Sequence, residues 1–478
     1  MNNLSKQQAS GAGNKAPVES LDQEADWLTD LRSGLTGRLI VPGDPDYDEA
    51  RSVFHGGIDR QPAVIARVAN VRDVQRVICL ARETGLELAV RSGGHSSAGH
   101  GVTDGGIVLD LRDMKDLRID PERRSAWAET GLTAGEYTAA ADHYGLATGF
   151  GDTGSVGIGG ITLGGGIGYL VRKHGLTIDN LLAAEIVTAD GQVLHVDAEN
   201  HPDLFWAIRG GGGNFGVATR FQFRLQEVSD VVGGMLFLPA TPEVIAAFIA
   251  EADAAPEELS TIANIVPAPP LPLIAPEHHG KLAIIAMMVY ADNVESGMRV
   301  INRFRKLAEP LADMIRPMRY REMFPPEDDN YHPTAVARTM FIDRVDQDAA
   351  KTILENLQAS DAAMRVAQIR VLGGAMTRVP SDETAFAHRH SRIMVNLAAF
   401  YTGAEDQAVR QNWLADFAAA LDQGNTGAYV NFLGDEGTAR VQAAYPGSTW
   451  DRLREIKARY DPANLFRLNQ NIPPAIKI

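Results

Sequence analysis

The sequence predicts an α+β protein of two or three domains, a glycine-rich α/β region followed by helices over a largely antiparallel sheet. Three observations carry this. The chain has 478 residues, of which 45% are hydrophobic and 22% charged, so it can bury more than one ordinary globular core. Glycine is uneven, with 27 of the 46 glycines between residues 85 and 216. Beyond about residue 231 glycines thin out and longer helix and strand patterns alternate, which predicts a boundary near 229–233.

The elements follow in order. Residues 1–20 are polar with no apolar run, so they read as a mobile tail and not as a secretory signal. Residues 62–68 form a short apolar strand. Asn70 then offers a side-chain oxygen to the free N–H groups of a helix, with Val71, Val74, Ile78 and Ala81 at helical spacing behind it. A second strand at 86–91 completes a β-α-β unit that ends in a glycine turn at 92–99. A strand is expected at 107–111, then a strand at 125–130 and a helix at 133–144. Strands at 182–187 and 193–196 flank Asp190-Gly191, a hairpin signal. Phe221, Phe223 and Leu225 alternate as in a half-buried strand. In the second region, helices are expected at 242–254, 294–307, 349–358 and 406–421, and strands at 281–290, 365–371 and 393–401. A helix at 451–460 and a turn lead to Asn469-Gln470-Asn471-Ile472-Pro473-Pro474.

Composition excludes several classes of function. A formal net charge of −16 argues against a nucleic-acid binder, which must present a basic surface to phosphates. The single cysteine, Cys79, excludes an intrachain disulfide framework, a multi-cysteine zinc site and a CxxC redox pair. Its place in the helix after Asn70 reads as a packed small hydrophobe. No run approaches the roughly 18 apolar residues of a membrane span, so the expected location is the cytoplasm, without a membrane partner. No Walker, G-x-S-x-G or H-E-x-x-H pattern is present. Gly211-Gly212-Gly213-Asn214-Phe215-Gly216 matches G-x-G-x-x-G, but a helix precedes it and a strand follows, the reverse of a Rossmann fingerprint.

Two glycine loops at strand ends are the candidate ligand sites. Glycine lets consecutive backbone N–H groups approach and face an anion. The first loop runs over 92–99. The second, over 151–168, has one charged residue, Asp152, so main-chain amides and hydroxyls would bind the anion. His95, between two glycines and two serines, reads as exposed and held by the turn; it is a loop histidine, a metal ligand with His100 lacking further partners, or a nucleophile toward an electrophilic cofactor. No metal site is expected.

Taken together, Arg91-Ser92-Gly93-Gly94-His95-Ser96, the tract 151–168 with Tyr169-Leu170, and residues 181–216 with Asp203-Leu204-Phe205-Trp206 resemble the FAD-linked oxidases of the vanillyl-alcohol oxidase and p-cresol methylhydroxylase superfamily. Tyr429-Val430-Asn431 and the tail 469–474 resemble its berberine-bridge-enzyme branch, and the whole is similar to bacterial hydroxynicotine oxidases. The resemblance implies a two-domain PCMH-type FAD-binding fold. Its FAD domain would comprise residues 21–230 with a returning segment 429–478, and its substrate domain residues 231–428. It implies FAD held by Arg91, Ser92, Gly93, Gly94, His95, Ser96, Ser97 and Gly101, and by Thr153, Gly154, Val156, Gly157, Gly160, Gly165 and Gly168. Gly216, Val217, Asn469 and Asn471 would complete the site, with Gln470 in the same amide run facing the pyrimidine edge of the flavin.

The resemblance further implies one covalent link, from His95 to the flavin 8α-methyl group, because Thr153 stands where doubly linked members carry cysteine. It implies an oxidase that passes a hydride from an alcohol or amine carbon of a small molecule to FAD, with dioxygen as acceptor and Val156 at the position that admits it. Tyr429 and Asn431, two apart on an expected strand and hence on one face, would be catalytic, the tyrosine acting as base once its pKa falls. Tyr320, His388, His390 and Tyr401 are candidate acid–base groups of the substrate domain. A flavin dehydrogenase with another acceptor and a non-catalytic flavin-binding protein are the alternative readings.

Overall fold

A computed structural model describes residues 20–228, 230–328 and 330–476. The expected tail lies outside the described residues through position 19, and residue 20 already opens the helix Ser20–Gly34.

The first sheet has four strands, in the order Arg38–Ile40, Val64–Arg67, Ile107–Asp110, Leu88–Arg91, the last three parallel. The strands of the expected β-α-β unit are therefore not neighbours, because Ile107–Asp110 inserts between them; strand spacing carries no information on a third partner. The connecting helix, Val71–Thr84, starts where the cap predicts, the Asn70 side chain accepting from the N–H groups of Arg72 and Asp73. Its apolar face, Val74, Val77, Ile78 and Ala81, is fully buried on the sheet.

A five-stranded antiparallel sheet follows, in the order Leu117–Asp120, Ser125–Glu129, Val217–Arg224, Leu181–Val187, Val193–Asp197. Phe221 and Phe223 point into its core, and Gly191 takes φ +82° in the expected hairpin turn. The helix Ala134–Asp142 is closed by a capping box between Thr133 and Glu136.

The second region builds an eight-stranded antiparallel sheet. Residues 230–233, read from composition as a junction, begin its strand Asp230–Pro239. The helices Pro242–Ala254, Val294–Arg305, Gln347–Ala359 and Gly403–Leu421 cover one face, and every second strand residue joins their common core, as with Ala367, Ile369 and Val371. The opposite face looks toward the glycine loops. The two halves thus form the α+β, two-domain arrangement.

The C-terminal segment returns to the first region through a buried polar knot. Lys457 Nζ donates to Asp461 at 2.6 Å, to the Asn214 carbonyl at 2.7 Å and to the Phe466 carbonyl at 3.0 Å, with both ionic side chains fully buried. The Asn214 amide donates to the Gln470 carbonyl and accepts from Ile472 N–H. These bonds set residues 469–472 against the glycine run 210–216. No helix of the described residues is long and apolar enough to cross a membrane.

Candidate active site

The two glycine loops touch backbone to backbone. A Cβ on Gly93 would stand 2.2 Å from Gly157 N, and one on Gly157 would stand 2.2 Å from Gly93 N. The Ser92 hydroxyl seals the junction, donating to the Thr130 carbonyl at 2.6 Å and accepting from Gly159 N–H at 3.3 Å. Between the loops, the C-terminal segment and the eight-stranded sheet lies a cavity of about 420 Å³.

Most of the residues expected to hold a cofactor border it: Ser92, Gly93, Gly94, His95, Ser96, Ser97 and Gly101 from the first loop, Thr153, Val156, Gly157 and Gly160 from the second, and Gly216, Val217 and Asn469. Tyr429, Asn431 and Gln470 border it too. Four do not. Gly154 lines a separate outer cleft. Gly165 and Gly168 serve close packing, for a Cβ there would meet Phe386 at 3.0 Å and the Phe150 carbonyl at 2.2 Å respectively. The Asn471 side-chain oxygen is buried without a partner, outside the cavity wall. Arg91 borders the cavity, but its guanidinium turns away, donating to Asp110 at 2.9 Å and to the Ala50 carbonyl at 2.5 Å. Burial alone would raise the Asp110 carboxyl, but Arg91 and Arg112 outweigh that and hold it at about 2.

The walls fit a large anionic ligand. Among the described residues, the N–H groups of 93–97 donate to no protein acceptor, so five consecutive donors remain for phosphate oxygens. A Cβ on Gly160 or Gly213 would meet nothing within 4 Å, so bare backbone at both positions leaves room for a ligand. The side-chain oxygens of Asn469 and Asn396 are buried at the wall with no protein partner, as expected of groups awaiting a ligand. These are features an FAD would satisfy.

His95 is half-buried at the cavity wall, not exposed as its glycine setting predicts, because Phe54 stacks on its ring at 4.1 Å and 19°. Burial lowers its imidazole to about 4, against the pull of Glu327, so the ring is neutral at pH 7.

Tyr429 and Asn431 do not sit on a strand. Tyr429 precedes the short 3-10 turn Val430–Phe432, and that turn brings the two side chains together. The Asn431 amide donates to the Tyr429 hydroxyl at 3.0 Å, and the N–H groups of Gly166 and Ile167 donate to the same oxygen at 3.0 and 3.2 Å. The phenol pKa does not fall. Burial raises it, and the three donors with Arg370 oppose that only in part.

The substrate-side candidates lie elsewhere. Tyr320 is buried among apolar side chains, His388 bonds the Ala444 carbonyl, His390 is exposed, and Tyr401 packs against the helix-covered core. In their place, Thr339, Asn396, Gln368 and Asn264 stand opposite one another on four adjacent strands, one polar row across the sheet. Gln368 donates to Asn264 at 3.0 Å and accepts from Arg370, which also pairs with Asp152 at 2.8 Å. The one sequence signal was Asn396 in an otherwise apolar strand. Gly212 and Gly213, part of the pattern rejected as a dinucleotide fingerprint, line the cavity from the C-terminal side.

Comparison with known proteins agrees with this geometry. The chain matches the family described as "FAD binding domain" over residues 62–197 and that described as "Berberine and berberine like" over 428–473. It is 32% identical to an uncharacterized FAD-linked oxidoreductase, YvdP, of Bacillus subtilis, over 92% of this chain and 99% of that one. It is 31% identical to (R)-6-hydroxynicotine oxidase of Paenarthrobacter nicotinovorans, over 92% and 97%. The crystal structure of 6-hydroxy-D-nicotine oxidase from Arthrobacter nicotinovorans superposes with a TM-score of 0.81 at 27% identity, covering 92% of this chain and 98% of that one. With its glycine cradle, its polar knot to the C-terminal segment and its Tyr-x-Asn turn, the chain belongs to the FAD-linked oxidoreductases, in the berberine-bridge-enzyme-like branch of the vanillyl-alcohol oxidase and p-cresol methylhydroxylase superfamily.

Proposed function

We propose that this enzyme is an oxidase that takes a hydride from an alcohol or amine carbon of a small organic molecule, with FAD bound through a single link to His95 and reoxidised by dioxygen. The observation that carries the reading is the Tyr429 hydroxyl, set in the cavity wall beside the glycine cradle under three donors. FAD bound in that cradle would supply the hydride acceptor. The protein must take the O–H or N–H proton. Three donors aimed at one phenolic oxygen favour its charged form, and the Arg370 cation acts in the same direction. Burial outweighs them in the free protein, so the phenolate form of Tyr429 is populated only as pH rises.

Other features support the reading. Asn396, the member of the amide row that borders the cavity, offers a neutral amide suited to a hydroxyl or amine. Thr153 brings no thiol to the cavity, and Cys79 lies in the helix Val71–Thr84 against Gly191, which supports a single link and no cysteinyl one. Relatives named as oxidases of hydroxynicotine and of xylooligosaccharide favour dioxygen as acceptor.

The test is anaerobic mixing of the purified yellow protein with panels of alcohols and amines, followed by admission of air. The expected result is bleaching of the flavin and recovery of its colour with stoichiometric hydrogen peroxide. Flavin that stays oxidised across both panels, or that is reoxidised by a quinone but not by oxygen, would overturn the reading.

A further inference from the structure

We propose that Glu327 and Ser155 form a proton relay that drives attachment of the cofactor to His95, so that the covalent bond depends on a loop of the substrate-side region. This rests on the reading that His95 carries the cofactor. Ser155 Oγ lies 2.5 Å from Glu327 Oε2 and 3.1 Å from His95 Nε2, and Ser155 N–H donates to Glu327 Oε1 at 3.0 Å. An ionised carboxylate only accepts, so the serine proton is committed to Glu327 and the serine oxygen accepts from His95 Nε2–H. With the proton on Nε2, Nδ1 keeps its lone pair. The stacked Phe54 holds the ring plane, and the neutral state of the half-buried imidazole keeps that lone pair available at pH 7. Carboxylate, hydroxyl and imidazole are thus in the order of orienter, carrier and nucleophile.

In the attachment step, His95 Nδ1 forms a bond to the 8α carbon of the flavin while one C–H bond at that carbon breaks. The Nε2 proton passes to Ser155 Oγ as the serine proton passes to Glu327. Glu327 is exposed at the outer cleft, so the proton it receives exchanges with water. Two electrons enter the ring with two protons, equal in number to those lost from the methyl group and the imidazole. Dioxygen then removes both electrons and both protons as hydrogen peroxide. Ser155 and Glu327 are positioning residues, since neither forms the bond.

The experiment uses full-length protein produced in riboflavin-starved cells and reconstituted with FAD. Covalent incorporation is followed over time as flavin fluorescence retained on the polypeptide after denaturation. Ser155→Ala and Glu327→Gln are expected to bind FAD, read from its shifted absorbance, yet attach it about 10²-fold more slowly. Ser155→Thr restores the hydroxyl and is expected to restore the rate, whereas a merely structural role would not be rescued this way. If Ser155→Ala does not take up FAD, Glu327→Gln decides, because its side chain is exposed and its backbone neighbours are unchanged. Attachment at the wild-type rate in Glu327→Gln would overturn the relay. Wild-type protein that releases all its FAD on denaturation would overturn the His95 reading itself, a separate failure.

Discussion

Asn431 Nδ2 donates to the Tyr429 hydroxyl at 3.0 Å and to the Ile161 carbonyl at 3.0 Å, so one amide ties the phenol to the second glycine loop. Tyr429→Phe removes the hydroxyl proposed above to accept the proton while keeping the buried ring. Its kcat is expected to fall about 10²-fold or more with FAD content unchanged. Because burial raises the Tyr429 pKa, the wild-type rate should climb with pH through the alkaline range, and Asn431→Ala should move that rise to still higher pH. Steady-state kinetics against pH check both. A flat profile shared by all three proteins would remove Tyr429 from proton transfer.

Arg91 and Asp110 lie under the first glycine loop, 1% and 0% exposed. Asp110→Asn leaves the Arg91 charge in the interior without its counter-ion, which costs about 3–5 kcal/mol. Chemical denaturation should show this loss, and FAD uptake should fall with it because the loop backbone rests on Arg91. A variant as stable as wild type would assign the support of the loop elsewhere.

Glycines of the cradle divide into two kinds. Gly160→Val and Gly213→Val place new methyl groups in open cavity, so these variants should fold normally and bind less FAD. Gly157→Ala sets a Cβ 2.2 Å from Gly93 N and should lower the melting temperature even without FAD. Circular dichroism and flavin content of the three variants separate the two effects.

His100, His174 and His388 are each lowered to about 4, chiefly by burial. Above their ordinary value near 6.5 both folded and unfolded chains hold them neutral, and stability is at its full value. Below that pH the unfolded chain takes up protons that the folded one refuses, so stability falls from about pH 6.5 toward pH 4. Protein free of FAD should therefore lose several degrees of melting temperature between pH 7 and pH 5, and His388→Asn should reduce that loss. Scanning calorimetry at fixed ionic strength measures it.

Local chemistry was legible where a residue acts on its near neighbours. The Asn70 cap and the Asp190-Gly191 hairpin each involve groups within five residues, so sequence order is itself the geometry. Tyr429 and Asn431 were legible as a pair by their spacing, but not as a turn, because a strand and a 3-10 turn both bring residues two apart within reach of one partner. Gly154, Gly165 and Gly168 were misplaced for a related reason: a glycine needed for backbone packing has the same letter as one needed for a ligand.

The two glycine loops were legible in composition, because backbone-lined anion sites demand glycine at strand ends; the cofactor class followed from the family resemblance of those motifs and not from the glycines alone. Packing alone sets Asn396, Gln368 and Asn264 in one row, with Asn396 at the cavity, and brings Glu327 to Ser155 across 172 residues. Strand register and loop docking depend on which apolar faces bury one another. A single amide or carboxylate on an otherwise ordinary strand or loop carries no mark of the partner that packing brings to it.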